Sequence, residues 1–316
     1  MDRLSLFIVF ALSATLTGSV AAQTDCVSSG FPDLGNACDR WDACDANRPR
    51  CVGTIGSLLR WSADPSGGHL AGLDEPLVTD RPDFTEASSV VGLGVLQIES
   101  GYTYTYNDDA ERAVNVVQHS YPEMLFRYGM LANWFELRVG FNFGDADVNG
   151  VPTAGSEDLY LGAKIGLTPQ LGLRPEMAII PQMLIPLDDD SGEEVSGGLN
   201  WLYGWDVNDR FSTAGSTQFN RAVDGESLSG YTQWAQSWTV GYGLTERLSG
   251  YTEYFGFYPT GAESEVPLHF INTGFAYLVG DNVQWDVRYG VGLNDEADDY
   301  FVGTGLTVRI PPGWRR

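Results

Sequence analysis

Beyond residue 94 the chain is built from runs of about a dozen residues in which apolar and polar positions alternate. In the first run Leu96, Ile98 and Tyr102 fall on one parity, whereas Gln97 and Glu99 fall on the other. Successive side chains of a β-strand point to opposite faces, whereas an amphipathic helix repeats its apolar residues every three or four positions. The pattern therefore predicts strands with one face suited to lipid and one suited to water.

The breaks between these runs are alternately short and long. We predict strands at about residues 94–106, 113–129, 132–144, 156–168, 171–187, 194–207, 210–220, 229–242, 245–258, 267–279, 282–293 and 299–310. Outer-membrane barrels combine short periplasmic turns with long external loops. The fold class predicted is therefore all-β, a closed antiparallel transmembrane β-barrel of about 12 strands. A soluble β-sandwich is the competing interpretation, and the strict alternation of loop length disfavours it.

Prolines make two of these strands less secure. Pro122 interrupts the second strand, and Pro175, Pro181 and Pro186 fall in the fifth. Proline cannot donate a hydrogen bond to a sheet ladder, so it is confined to edges, strand starts and bulges. We expect a bulge or a local break at these positions.

The region before the barrel has the layout of an exported protein. An apolar stretch from Leu4 to Leu16 is followed by small residues that end at Ala22, which is typical of a cleavable signal peptide. We predict a signal peptide at 1–22, a periplasmic extension and linker at 23–78, and the barrel at 79–316. The predicted location is the bacterial outer membrane.

All four cysteines lie in the extension, at Cys26, Cys38, Cys44 and Cys51. In an exported chain, cysteines in a segment this poor in apolar residues predict one or two disulfides. Three pairings are possible, and the spacing does not choose between them. A metal site is the weaker interpretation because Cys-x-x-Cys is absent, so we predict no metal and no cofactor.

The net charge of −24 is concentrated in the six longer loops, which hold 19 acidic residues and two arginines. Charged blocks of this kind mainly solvate loops. The alternative is a rim that repels anions, or that binds divalent cations shared with lipopolysaccharide. The predicted partners are outer-membrane lipid, lipopolysaccharide and a small solute, and the acidic balance argues against nucleic acid.

If the apolar parity faces lipid, the opposite parity lines the lumen and carries both signs of charge. The lumen candidates are Glu99, Glu123, Arg127, Glu136, Arg138, Lys164, Arg174, Glu176, Glu253, Asp286, Arg288 and Arg309. One interpretation is a ladder of ion pairs that fills a narrow barrel, and the other is a selectivity constriction. Most of the Trp and Tyr residues lie near strand ends, which predicts girdles of aromatic rings at the two membrane interfaces. A minority could line the lumen as a track for aromatic solutes.

One motif precedes the first strand: Thr79-Asp80-Arg81-Pro82-Asp83-Phe84-Thr85-Glu86, followed by Leu96-Gln97-Ile98-Glu99-Ser100-Gly101-Tyr102. With this motif the chain resembles a family of bacterial outer-membrane barrels assigned to transport in the meta-cleavage pathway of phenol degradation. The resemblance implies a barrel that passes small aromatic or hydrophobic compounds. We interpret the motif as a lead-in to the first strand at the periplasmic mouth, with a solvated linker as the alternative. Its charges could pair with one another or with the lumen.

We predict a passive channel or transporter and no enzyme. The main rival is a non-conducting barrel with a structural or adhesive role. An outer-membrane hydrolase is a further alternative, but His119 and Ser120 are neighbours that point to opposite faces of a strand, and Gly-x-Ser-x-Gly is absent.

Overall fold

The computed structural model describes residues 77–109, 113–156, 158–187, 195–223 and 229–312. Thirteen strands lie within these residues: β1 (Leu96–Asp109), β2 (Val114–Gly129), β3 (Phe135–Val148), β4 (Val151–Ser156), β5 (Leu159–Thr168), β6 (Glu176–Ile185), β7 (Ser196–Asn208), β8 (Phe211–Val223), β9 (Gly230–Gly243), β10 (Leu248–Thr260), β11 (Leu268–Gly280), β12 (Val283–Gly292) and β13 (Tyr300–Ile310). In these ranges no helix is long and apolar enough to cross a membrane. The predicted signal peptide, nearly all of the extension and the four cysteines lie outside the described residues.

Neighbouring strands pair antiparallel along the chain, and β1 pairs with both β2 and β13. These pairings close the sheet into a ring that contains every strand of the described ranges except β4. The predicted closed antiparallel barrel of 12 strands is therefore confirmed, with one additional strand. Closure satisfies backbone N–H and C=O groups between strands, which a sheet inside a bilayer requires.

The additional strand β4 lies in the stretch between the strands predicted at 132–144 and 156–168, where a long loop was expected, and corrects that prediction. β3 continues to Val148 and turns back into β4, which pairs only with the outer half of β3. The turn residues Asn149 and Gly150 have φ of 53° and 83°, and two central residues with positive φ are what a type I′ hairpin needs. The hairpin extends the wall at the long-loop end without joining the ring.

The fifth predicted strand, 171–187, is too long at its start, since β6 begins only at Glu176. Leu171 and Arg174 instead close a tight turn through an isolated bridge. Gly172 within this turn has a φ of 59°, a conformation that glycine adopts without steric cost. The connection between β5 and β6 is therefore longer than predicted.

Two of the prolines singled out in the sequence coincide with irregular pairing, as expected. In β2 the register with β3 shifts between Tyr121 and Met124, around Pro122. In β6 the ladder to β5 is interrupted beside Pro181. Glu123 has a φ of 44° within the β2 irregularity, and its side chain is only 9% exposed.

The two faces of the wall differ in burial. Leu137 is 41% exposed, whereas its neighbour Arg138 is completely buried. Large exposed rings on the outer face include Tyr102, Tyr121, Tyr128, Trp201, Trp238, Tyr254, Tyr277, Trp285 and Tyr289. An outward apolar band with aromatic rings suits contact with lipid.

Candidate functional site in the barrel lumen

The chain immediately before β1, residues 77–95, folds inside the barrel, and we call it the inner segment. Every residue from Thr79 to Ala87 is buried. Hydrogen bonds join the inner segment to β1, β3, β5, β6, β10 and β12, which lie on all sides of the ring. The motif therefore crosses the lumen, which is deeper than the lead-in at the mouth predicted from the sequence and unlike a solvated linker.

The motif closes on itself through its own side chains. The Asp80 carboxylate accepts a hydrogen bond of 2.9 Å from the Ala87 N–H, and the Thr79 hydroxyl donates to the Arg81 carbonyl at 2.6 Å. Gln284 of β12 donates to the Thr79 hydroxyl at 2.8 Å. Short polar side chains that bond nearby backbone stabilise turns of this kind.

Carboxylates of the barrel wall accept hydrogen bonds from the inner segment. The pairs are Glu99 with the Asp80 N–H, Glu253 with the Phe84 and Thr85 N–H groups, Glu136 with the Val91 N–H, and Glu176 with the Ser88 hydroxyl. A buried backbone N–H that lacks a strand partner needs such an acceptor. Bonds to charged acceptors are also the stronger ones, so the wall fixes the path of the segment.

Asp80 lies at the centre of a buried charge network, the Asp80 cluster, whose members are Asp80, Glu86, Glu99, Arg127, Glu136, Arg138 and Lys164. Its carboxylate lies 2.5 Å from Arg138 Nη1, 3.1 Å from Lys164 Nζ and 3.3 Å from Arg127 Nε. Removing one partner of a buried ion pair costs about 3–5 kcal/mol because the other charge stays uncompensated. Asp80 therefore couples the segment to three strands at once.

The remaining members of the Asp80 cluster are also paired. Arg138 Nη2 lies 2.9 Å from Glu86, and Asn200 of β7 donates to the same carboxylate at 3.2 Å. Arg127 lies 2.7 Å from Glu136 and 3.1 Å from Glu99. The charges of both signs are thus interleaved, which is how a charge network survives in a dry interior.

A second network, the Arg81 cluster, contains Arg81, Glu123, Asp286 and Arg288. Arg81 Nη1 lies 2.6 Å from Glu123, and Arg81 Nε lies 3.5 Å from Asp286. Arg288 donates to the Pro82 carbonyl at 3.3 Å. The irregularity in β2 positions Glu123 for this contact.

Glycines in the wall make room for the Arg81 guanidinium. Gly101 of β1 and Gly305 of β13 are directly paired. A Cβ at Gly101 would lie 2.3 Å from Arg81 Cζ, and one at Gly305 would lie 2.1 Å from Arg81 Nε. Both distances are far below van der Waals contact, so the guanidinium needs glycine at both positions.

We expect Gly101→Ala to displace Arg81 and to destabilise the protein by roughly 1–3 kcal/mol, the usual cost of overpacking. The measurement is the urea midpoint of the folded barrel, read by its heat-dependent mobility on gels. Gly197→Ala is the matched control, because nothing lies within 4 Å of a Cβ at that position. Equal midpoints for the two variants would contradict the packing argument.

A third group, the Phe84 cluster, is aromatic and contains Phe84, Ala235, Phe255, Phe257, Leu268, Phe270, Ala297 and Phe301. Phe84 stacks on Phe255 with ring centroids 4.7 Å apart and meets Phe257 edge-on at 5.3 Å. Phe255 stacks on Phe270 at 4.9 Å. These stacked and edge-on geometries are the favourable ones for aromatic pairs.

The loop between β12 and β13 packs over the Phe84 cluster. Ala297 is 3% exposed, and the Gly292 N–H donates to the Asp298 carbonyl at 3.0 Å. Burial raises the pKa of the Asp298 carboxyl above its ordinary value, and Asn107 donates to that carboxyl at 3.3 Å. The β12–β13 loop therefore folds inward and partly covers the lumen at the long-loop end of the barrel.

Ten of the twelve lumen candidates contact the inner segment: Glu99, Glu123, Arg127, Glu136, Arg138, Lys164, Glu176, Glu253, Asp286 and Arg288. Arg174 lies instead in the turn before β6. Arg309 donates to Asn282 and to the Asp281 carbonyl at the turn between β11 and β12. The structure thus pairs the wall charges mainly with the segment, as the alternative in which the motif charges pair with the lumen allows, and not only with one another or across an open constriction.

Sequence reasoning missed the inward-facing phenylalanines. Phe255 and Phe257 share the parity of Glu253 in β10, and Phe301 shares the parity of Arg309 in β13. That shared parity was the available signal, since side chains two apart in a strand face the same side.

The histidines of the described ranges lie on the outer surface. His119 Nδ1 is 2.7 Å from the Tyr102 hydroxyl, and His269 Nδ1 is 2.7 Å from the Tyr254 hydroxyl. Both pairs are exposed. Within the part of the chain that the structure describes, no three His, Cys, Asp or Glu residues are grouped to hold a metal ion.

The chain is similar to several solved structures. An outer membrane channel from Pseudomonas putida F1 is 11% identical, with a TM-score of 0.59, and the match covers 71% of this chain and 98% of the channel. The NanC porin is 10% identical, with a TM-score of 0.45, over 68% of this chain and all of the porin (100%). The translocator domain of the autotransporter NalP from Neisseria meningitidis is 10% identical, with a TM-score of 0.45, over 69% and 89% of the two chains.

A family model also matches the chain, over residues 79–310, and its description is "Putative MetA-pathway of phenol degradation". The match begins at Thr79, the first residue of the inner-segment motif, and ends with β13. The sequence has no significant match among curated proteins.

Proposed function

The chain belongs to the phenol-degradation family whose model matches residues 79–310, and from this premise we propose that it is a channel or transporter for small solutes, with aromatic or hydrophobic compounds as the favoured class. The barrel resembles a solved outer membrane channel, which supports an outer-membrane location. The low identity limits that likeness to the fold.

One observation carries the proposal: a separate polar segment occupies the lumen, and it is attached to the wall by ion pairs and hydrogen bonds. Here the wall has glycines at Gly101 and Gly305, and the Arg81 side chain of the inner segment lies against them. Displacing the inner segment would therefore open a lumen that the wall already forms.

The non-conducting alternative is favoured by a different observation. Asp80, Glu136, Arg138 and Lys164 are completely buried, so the charges that attach the segment to the wall have no contact with bulk water. A barrel with a permanent internal segment would serve as a rigid envelope component. The two candidates differ in whether the segment moves.

Purified protein in planar bilayers distinguishes them. We expect the wild type to show brief conductance steps, because the segment must move before ions pass, and proteoliposomes to release a small aromatic solute such as phenol faster than liposomes without protein. Heat-denatured protein is the control. Absence of conductance and of solute flux, in the wild type and in a variant that loosens the segment, would contradict the transport proposal.

Contact of the outer face with lipid follows from its exposed aromatic and apolar side chains. Binding of lipopolysaccharide through divalent cations at the acidic loops is a further proposal from the sequence. The densest acidic patch, residues 188–194, lies outside the described residues. The disulfides of the extension are likewise proposals.

A further inference from the structure

The Phe84 ring fills an aromatic slot in the lumen, and we infer that this slot is a binding site for a free monocyclic aromatic solute, which takes the place of the Phe84 ring and releases the tip of the inner segment. The inference rests on the proposed function, since it names the solute class and the step that opens the lumen. The occupant already present is the argument for the class: a benzyl side chain shows what shape the slot accepts.

The slot is shaped for a flat ring. Phe255 lies parallel to Phe84, with an interplanar angle of 12°, and Phe257 is nearly perpendicular at 85°. Phe270 and Phe301 complete the aromatic side, with centroids 6.3 Å apart. A stack on one side and an edge on another select planar rings over saturated ones of similar size.

The positively charged side chain of Arg288 borders the slot. The Arg288 guanidinium carbon lies 5.4 Å from the centroid of the Phe301 ring, within the range of a cation–π contact. Arg288 also connects the slot to the Arg81 cluster through the Pro82 carbonyl. A ring that carries one hydroxyl therefore matches the slot better than a plain hydrocarbon.

The tip of the segment is held differently from its base. At the tip, Glu253 accepts hydrogen bonds from the Phe84 N–H at 2.6 Å, the Thr85 N–H at 2.7 Å and the Thr85 hydroxyl at 2.5 Å. At the base, three cations surround Asp80. A neutral solute that displaces the Phe84 ring removes the apolar hold on the tip and leaves the charged base in place.

The slot also lies where a solute from outside would arrive. Phe257, Leu268 and Phe301 are at or near the long-loop ends of β10, β11 and β13. Ala297 of the β12–β13 loop packs in the same cluster. A solute that passes this loop meets the Phe84 cluster before it meets the buried charges.

Binding of 4-fluorophenol to the full protein in lipid nanodiscs, followed by ¹⁹F NMR, tests the inference. Phe84→Ala should bind roughly tenfold more tightly than the wild type, because an apolar cavity of ring size accepts benzene-like ligands and no longer contains a competing side chain. Phe275→Ala, which removes a ring that is 45% exposed on the outer face, should bind like the wild type. Phe84→Leu refills the slot partly and should fall between them.

Conductance provides the second measurement. The probe should lengthen open events of the wild type, and it should have little effect on Phe84→Ala, whose tip already lacks the ring that the probe displaces. Heat-dependent gel mobility establishes that each variant is folded. Affinity for the probe that is equal in Phe84→Ala, Phe84→Leu and Phe275→Ala would overturn the inference.

Failure of this inference is distinguishable from failure of the proposed function. Solute flux without tighter binding by Phe84→Ala would reject the aromatic slot and leave the transport proposal unaffected. Tighter binding by Phe84→Ala with no flux in any variant would support the slot and reject transport. Cyclohexanol serves as the saturated comparison, and binding equal to that of 4-fluorophenol would reject the selection of flat rings.

Discussion

Replacing Asp80 by asparagine is expected to release the inner segment and to convert brief conductance steps into long-lived open channels. The mean current should rise at least tenfold, because losing one partner of a buried ion pair costs more than the ~1.4 kcal/mol that corresponds to a factor of ten. The carboxylate charge that Arg127, Arg138 and Lys164 share would disappear. The substituted amide keeps an oxygen that can accept from the Ala87 N–H, so the effect isolates the charge. Planar-bilayer recording measures it.

The control for this variant is Asp209→Asn, since Asp209 is exposed in the turn between β7 and β8. This substitution also removes one negative charge, but at the short-turn end of the barrel and outside the lumen. A current that is unchanged in Asp80→Asn would mean that the Asp80 cluster does not hold the segment. An equal rise in both variants would assign the effect to net charge alone.

Two single substitutions in β3, Leu137→Arg and Arg138→Leu, should produce two different defects. Leu137→Arg places a charge on the outer face, where it costs up to about 2–4 kcal/mol depending on depth in the bilayer, and we expect poor insertion. Arg138→Leu leaves the outer face intact but removes the guanidinium that pairs with Asp80, Glu86 and Glu136. We expect that variant to insert, to conduct, and to prefer cations.

Membrane fractionation with heat-dependent gel mobility measures the insertion defect of Leu137→Arg. The reversal potential in a salt gradient measures the ion preference of Arg138→Leu. Each variant is the control for the other, because the two residues are adjacent in β3 and differ in the face that they occupy. Mild and equal effects of both substitutions on insertion would mean that the wall does not separate lipid from lumen as the structure shows.

Most of the barrel was predictable because its determinants are local. Alternation between Gln97 or Glu99 and their apolar neighbours requires only that successive side chains point to opposite faces. The missed hairpin at Asn149 and Gly150 was equally local, since Asn-Gly between strand-like residues is a strong turn signal. The early start predicted for the strand at 171–187 overlooked the turn that Gly172 makes.

The arrangement of the lumen was not predictable in the same way. The six wall acids and six wall bases could have paired across neighbouring strands. Some do, as Arg127 pairs with Glu99 and Glu136, but the structure also brings charges of the inner segment between them. Nothing local marks Gly305 as the place where Arg81 lies, because the two positions are far apart in sequence and meet only when β13 pairs with β1.

By itself the sequence determined the strands, their two faces, the antiparallel ring and the family, since each depends on spacing within a few tens of residues. Only the tertiary structure decided what fills the barrel. Arg81 reaches the Thr304 carbonyl across 223 positions of the chain, and Phe84 bonds to Glu253 across 169. Contacts of this range exist because ring closure converts one parity of every strand into a common interior, and the motif that precedes the first strand is the part of the chain that occupies it.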